Sequence, residues 1–174
     1  MSRKIVIAGL TPVVLVAGGF LWADCPPAPL PSGTRVDLLV VDKSAHRLRA
    51  YAQGRLVRTY RVSLGHQPLG RKARLGDHRT PEGRYIIDSH NPNSAFHLSM
   101  HVSYPSQADD ARAWAAGYPP GGDVMIHGMR NGSGWIGRAH LLSDWTDGCI
   151  ALTDSEMDQL YRAVPDGTPI VIRP

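Results

Sequence analysis

Apolar positions along this chain alternate more often than they recur at helical spacing, and that pattern predicts a domain built mainly of strands. Residues 36–42, with Val36, Leu38, Leu39, Val40 and Val41, read as a first strand. After a turn at 43–45, residues 46–52 place Leu48, Ala50 and Ala52 on one face. Gln53-Gly54 turns the chain into 56–64, and three strands joined so tightly predict an antiparallel meander. Residues 65–79 have little apolar content and predict a long surface loop, a kind of segment that often carries function. Thr80-Pro81-Glu82-Gly83 is a turn before a strand over 84–89. The cleanest alternation is 96–104. It puts Phe96, Leu98, Met100, Val102 and Tyr104 on one face, and His97, Ser99, His101 and Ser103 on the other. The second face is expected on a groove or in solvent.

Helical spacing is confined to two stretches. Ser106 reads as the N-cap of a helix that passes Ala111, Ala113 and Trp114 and stops at Gly117. Thr153 and Glu156 have capping-box spacing and open a second helix to about residue 163, ahead of a last strand at 169–172. Between them, 123–126 reads as a short buried strand delivering His127, and the glycine-rich 131–137, with Trp135, as a mobile flap. Leu141 and Leu142 are expected to re-enter the core. The sum is a mainly β (α+β) domain with two helices of about three turns. No repeat, phosphate loop or dinucleotide fingerprint is visible.

Composition adds a compartment. Arg3 and Lys4 precede an uncharged run from Ile5 to Trp22, close to the ~18 residues at which a spanning helix becomes plausible. Residues 1–23 therefore read as a signal peptide or N-terminal membrane anchor. The proline-rich 24–34 reads as a tether, with Cys25 a boundary or linker residue. Residues 35–174 form the exported domain. If the N-terminus is uncleaved, the inner membrane is a partner. The chain's 174 residues carry a formal charge of +4 and 43% hydrophobic residues, enough for one core. The basic cluster Arg71-Lys72-Ala73-Arg74 reads as a solvated loop, and no nucleic-acid module accompanies it.

Chemistry gathers around Cys149. It follows Gly148 and precedes Ile150, Ala151 and Leu152, and an unpaired thiol in an oxidising compartment calls for an explanation. A cysteine nucleophile needs a base and donors for the developing oxyanion. His127 is the base the residues offer, with the Gly128 carbonyl as the acceptor that orients it. The amides of Gly148 and Cys149 are the expected oxyanion donors. An inert buried thiol is the competing reading. Trp135, Arg138, Trp145, Asp147 and His101 are the residues expected to line a substrate groove; for Trp145 a core position, and for Asp147 a solvated turn, are the alternatives. His140 reads as a surface residue.

The segments Ile126-His127-Gly128 and Thr146-Asp147-Gly148-Cys149-Ile150, with Thr80-Pro81-Glu82-Gly83-Arg84-Tyr85 and Ser103-Tyr104-Pro105, resemble the L,D-transpeptidase (YkuD-like) catalytic domain. The resemblance runs over about 36–172. It implies a β-sandwich-like fold, no cofactor, and a cysteine acyl-enzyme formed on peptidoglycan stem peptides. By that likeness Cys149 attacks the carbonyl of the residue before a terminal D-amino acid, and carbapenems acylate the same thiol. The implied acceptors are a neighbouring stem peptide, a free amino acid, a lipoprotein lysine or water. Asp147 stands where the family usually has histidine, and Ala151 where it usually has arginine. Asp-Trp-Thr-x-Gly-Cys-Ile-Ala is similar to a branch that includes an enzyme releasing a lipoprotein from peptidoglycan. Two other readings stay open: a metallohydrolase using His97, His101 and His127, and a non-catalytic wall-binding module.

Overall fold

The computed structural model describes residues 29–174. The signal or anchor segment and the first part of the tether, residues 24–28 with Cys25, lie outside the described residues. Among the described residues no helix is long and apolar enough to cross a membrane.

The strands are β1 (Leu38–Asp42), β2 (Arg47–Ala52), β3 (Arg55–Arg61), β4 (Gly83–Asn91), β5 (Ser99–Val102), β6 (Met125–His127), β7 (Ile150–Ala151) and β8 (Pro169–Arg173). They form one mixed sheet in the order β3-β2-β1-β8-β4-β5-β6-β7. The expected meander is β1–β2–β3, antiparallel throughout, while β1 runs parallel to β8 and β6 parallel to β7. The long strand β4 serves two partners. Its first residues, Gly83 to Ile86, pair with β8; from Ile87 onward it pairs with β5, across a register shift between Ile87 and Ser89. The sheet then curls until its ends meet. Ser63, just past β3, bridges Ala151 of β7 with both backbone hydrogen bonds, at 2.9 and 3.1 Å. A single curled sheet thus supplies the facing layers expected of a sandwich.

Alternation decides what the sheet buries. Leu39, Val41, Leu48, Ala50, Ile87, Met100, Val102, Ile126, Ile150, Ile170 and Ile172 point into one core. Helix α1 (Gln107–Ala115) is capped by Ser106 with Asp109 returning the bond, and α2 (Asp154–Ala163) by Thr153 with Glu156. Helix α2 buries Met157 and Leu160 in the core. Helix α1 is more peripheral, and its Trp114 is exposed.

Four expectations change. The strand expected over 96–104 shrinks to β5 because His97 adopts a left-handed φ of 64° and gives its amide to Asn131 Oδ1 at 2.9 Å. The expected flap is instead the start of a 3₁₀ segment, Gly134–Leu142, kinked at Gly137. Its end does not re-enter the core, since Leu142 is 83% exposed. The basic cluster is not simply solvated. Lys72 is buried and bonds Asp77 at 2.8 Å, while Asp77 also accepts the amides of Ala73, Arg74 and Arg79. Burial alone would raise the Asp77 carboxyl's pKa, but Lys72 and the three amides hold it below its usual value. These bonds give the long loop 65–79 a fixed shape.

Candidate active site

Strands β6 and β7 are neighbours at one end of the sheet, and their parallel register pairs Ile126 with Ile150 and His127 with Ala151. Cys149 therefore stands level with Met125, one strand away from His127 and two residues back. Both residues line a cavity of about 370 Å³, together with Phe96, Ser99, Asp123, Trp145 and Asp147.

His127 is buried, and its Nδ1 lies 2.7 Å from the Gly128 carbonyl. A carbonyl oxygen only accepts, so Nδ1 carries the proton and Nε2 keeps its lone pair. Burial pushes the imidazole's pKa below its usual value, against a smaller opposing effect of the Gly128 bond. The ring is packed by Phe96 at 4.7 Å and, edge to face, by Trp145 at 5.6 Å between centroids. Gly128 is required by crowding. A Cβ there would come within 2.7 Å of Asp154 Oδ1 and 3.0 Å of the His97 Cβ. The same Asp154 oxygen accepts the Met129 amide at 2.7 Å, so the first residue of α2 props the turn that follows His127.

Cys149 is held as a thiol. Its Sγ donates to the Asp123 carbonyl at 3.6 Å. Burial raises its pKa; Asp147 and Asp123 add to that, while a Met125 backbone hydrogen bond and Lys72 oppose it. Burial thus shifts both groups toward their neutral forms, thiol and imidazole. Gly148 has a φ of +125°, and a Cβ on it would meet the Arg79 carbonyl at 2.6 Å. Its amide donates to Thr146 Oγ1 at 3.2 Å, and that hydroxyl donates on to the Cys149 carbonyl at 2.8 Å. Of the two amides expected as oxyanion donors, that of Gly148 is thus bonded within the turn.

The loop bearing Cys149 is gripped from two sides. His46, in the β1–β2 turn, bonds Asp144 at 2.9 Å, and Asp144 also accepts the Leu64 amide. His78, in the long loop, bonds Asp147 at 2.8 Å. Asp147 and Trp145 thus reach the cavity. Of the other residues expected to line the groove, His101 bonds Asp88 at 2.7 Å, and Trp135 is 69% exposed on the 3₁₀ segment. Arg138 is partly buried in that segment, and none of these three lines the cavity. His97 bonds Asp158, so His97, His101 and His127 do not converge. Among the described residues no group of three His, Cys, Asp or Glu is placed to hold a metal ion. His140 is buried rather than on the surface.

Residues 37–172 match the model of the L,D-transpeptidase catalytic domain (YkuD). The chain belongs to that family. A relative by sequence is YafK of Escherichia coli strain K12, which bears the name of an L,D-transpeptidase. It is 25% identical over 114 residues, covering 64% of this chain and 39% of YafK. This chain thus spans about two fifths of that relative's length. The helical cell shape determining protein Pgp2 of Campylobacter jejuni has a similar structure, with a TM-score of 0.60, 21% identity, and coverage of 90% of this chain and 54% of Pgp2. Bd1075 of Bdellovibrio bacteriovorus is similar at a TM-score of 0.56 and 20% identity, over 86% of this chain and 53% of Bd1075. At these identities the structural likeness concerns the fold. Family membership supports a peptidoglycan-related, L,D-transpeptidase-like function.

Several groups at the site left no local signal in the sequence. Phe96 reads as a core strand position, yet it packs on His127. Asp154 looks like an ordinary first-turn carboxylate. Lys72 looks like one basic residue among several. Only the glycines flanking the histidine and the cysteine hinted that the backbone comes close to something there.

Proposed function

We propose that this chain is an extracytoplasmic L,D-transpeptidase-type enzyme acting on peptidoglycan stem peptides, with Cys149 as acyl-enzyme nucleophile and His127 as its base. The observation that carries this reading is the Gly128 carbonyl on His127 Nδ1, which leaves Nε2 as an acceptor in the cavity that also holds Cys149. Family membership supports the reaction class.

Sγ attacks the carbonyl carbon of the residue before a terminal D-amino acid. As the S–C bond forms, the thiol proton passes to His127 Nε2, and the carbonyl π pair moves onto oxygen beside the Cys149 amide. Collapse breaks the C–N bond, and His127 returns the proton to the departing amine. An acceptor amine or water then attacks the thioester and gives its proton to His127, and the expelled thiolate is reprotonated. Because the thiol starts protonated, His127 is needed at the first step.

Sacculi incubated with the protein and with Cys149→Ala provide the test. Altered muropeptides with the wild type and none with Cys149→Ala are expected. New cross-links identify an amine acceptor, and shortened stems identify water. Identical profiles with both proteins overturn the reading, and binding without product points to a wall-binding module.

A further inference from the structure

Behind His127 lies a buried imidazole that the chemistry above does not use. His140, on the 3₁₀ segment, is only 5% exposed. Ser63 Oγ lies 2.9 Å from the His140 carbonyl and 3.2 Å from its Nδ1. The Trp145 indole N–H points at the same Nδ1 from 3.4 Å. An indole N–H only donates, so in the tautomer that accepts it Nδ1 is unprotonated and the ring proton sits on Nε2. Nε2 is buried without a hydrogen-bond partner among the described residues. A buried N–H left unpaired works against stability, so a purely structural role would be better filled by an apolar side chain.

What the arrangement fixes is Trp145. Its ring lies edge to face on His127, with centroids 5.6 Å apart, and also faces Phe96 at 6.3 Å. Ser63 ties this layer to the sheet, because its backbone bridges Ala151, the residue paired with His127. We propose that His140 is a positioning residue: through its Nδ1 it anchors the Trp145 indole, and the indole fixes the ring plane of His127 for proton transfer from Cys149. The inference rests on Cys149 and His127 being the reacting pair. Burial, with a smaller contribution from His127, holds the His140 pKa down at about 4, so the Nδ1 acceptor persists across the neutral range.

The test is alkylation of Cys149 by iodoacetamide across the neutral range, which reads the thiol and its base without any peptidoglycan substrate. Melting curves are recorded alongside. His140→Leu is expected to melt close to the wild type, yet to alkylate about tenfold more slowly with its pH midpoint displaced upward. Trp145→Phe, which keeps a ring but loses the donor, is expected to share that defect. His140→Asn, whose Oδ1 stands near the place of Nδ1, is expected to restore most of the rate. A wild-type rate and pH profile in both His140→Leu and Trp145→Phe overturn the proposal, as does His140→Asn being as slow as His140→Leu. Should His140→Leu fail to fold, Trp145→Phe and His140→Asn still decide it. If the sacculus assay gives no product while these alkylation differences appear, the peptidoglycan reading fails and the positioning role stands.

Discussion

The two ends of the curled sheet are held in different ways. At one end β1, β2, β3 and β8 are five to seven residues long and laddered over Leu39, Leu48 and Ile170, with one register shift between Ala50 and Tyr51. At the other, β6 and β7 have three and two residues. They are placed by individual bonds: Ser63 on Ala151, the Leu152 amide on the His127 carbonyl, the Gly128 amide on Phe96 and Leu98, and Asp154 on Met129. The first end draws stability from periodic burial. The second holds its backbone around the cavity that Cys149 and His127 line.

That division can be broken by substitution. Leu48→Ala, at a fully buried position outside the cavity lining, is expected to destabilise the fold by about 2–5 kcal/mol while leaving the alkylation rate of Cys149 per folded molecule unchanged. Denaturant unfolding with parallel alkylation checks both halves of this statement. A changed rate in the folded fraction would mean that the two ends are coupled.

A second prediction concerns acid. Unfolded His140 takes up a proton near pH 6.5, whereas the folded residue resists protonation until about pH 4. The unfolded state therefore binds more protons within that window. The contribution is full above 6.5 and is lost as pH falls toward 4, at about 1.4 kcal/mol per pH unit and about 3 kcal/mol in all. His127, also depressed by burial, acts with the same sign. His140→Asn is expected to flatten the dependence of unfolding free energy on pH by about one proton. An unchanged slope would show that His140 titrates normally.

The smallest effect is expected at Asp147. Its charge helps to raise the Cys149 pKa, but it is exposed and screened. Asp147→Asn should lower that pKa and speed alkylation at neutral pH by about a factor of two, less in high salt.

The same division governs what the sequence reveals. Strands β1 to β4 and β8 appear as short apolar runs, partly alternating in β2, between turns, and the helices announce themselves through Ser106 and through Thr153 with Glu156. His127 and Cys149 stand out because glycines sit beside them. The shortening of β5 does not, since it depends on the Asn131 side chain taking the His97 amide. Burial of His140 depends on Ser63, 77 residues away, and burial of Lys72 on a bond inside a loop without periodic pattern. Leu142 misleads because apolar character alone does not say that a short 3₁₀ segment ends at the surface.

The central claim is that Cys149 is the acylated nucleophile and His127 its base. Intact-mass measurement after incubation with a carbapenem, followed by peptide mapping, tests it directly. The account predicts one adduct on the peptide containing Cys149, formed at least about tenfold more slowly in His127→Gln and absent in Cys149→Ala. An adduct on any other residue, or one that persists in Cys149→Ala, contradicts it.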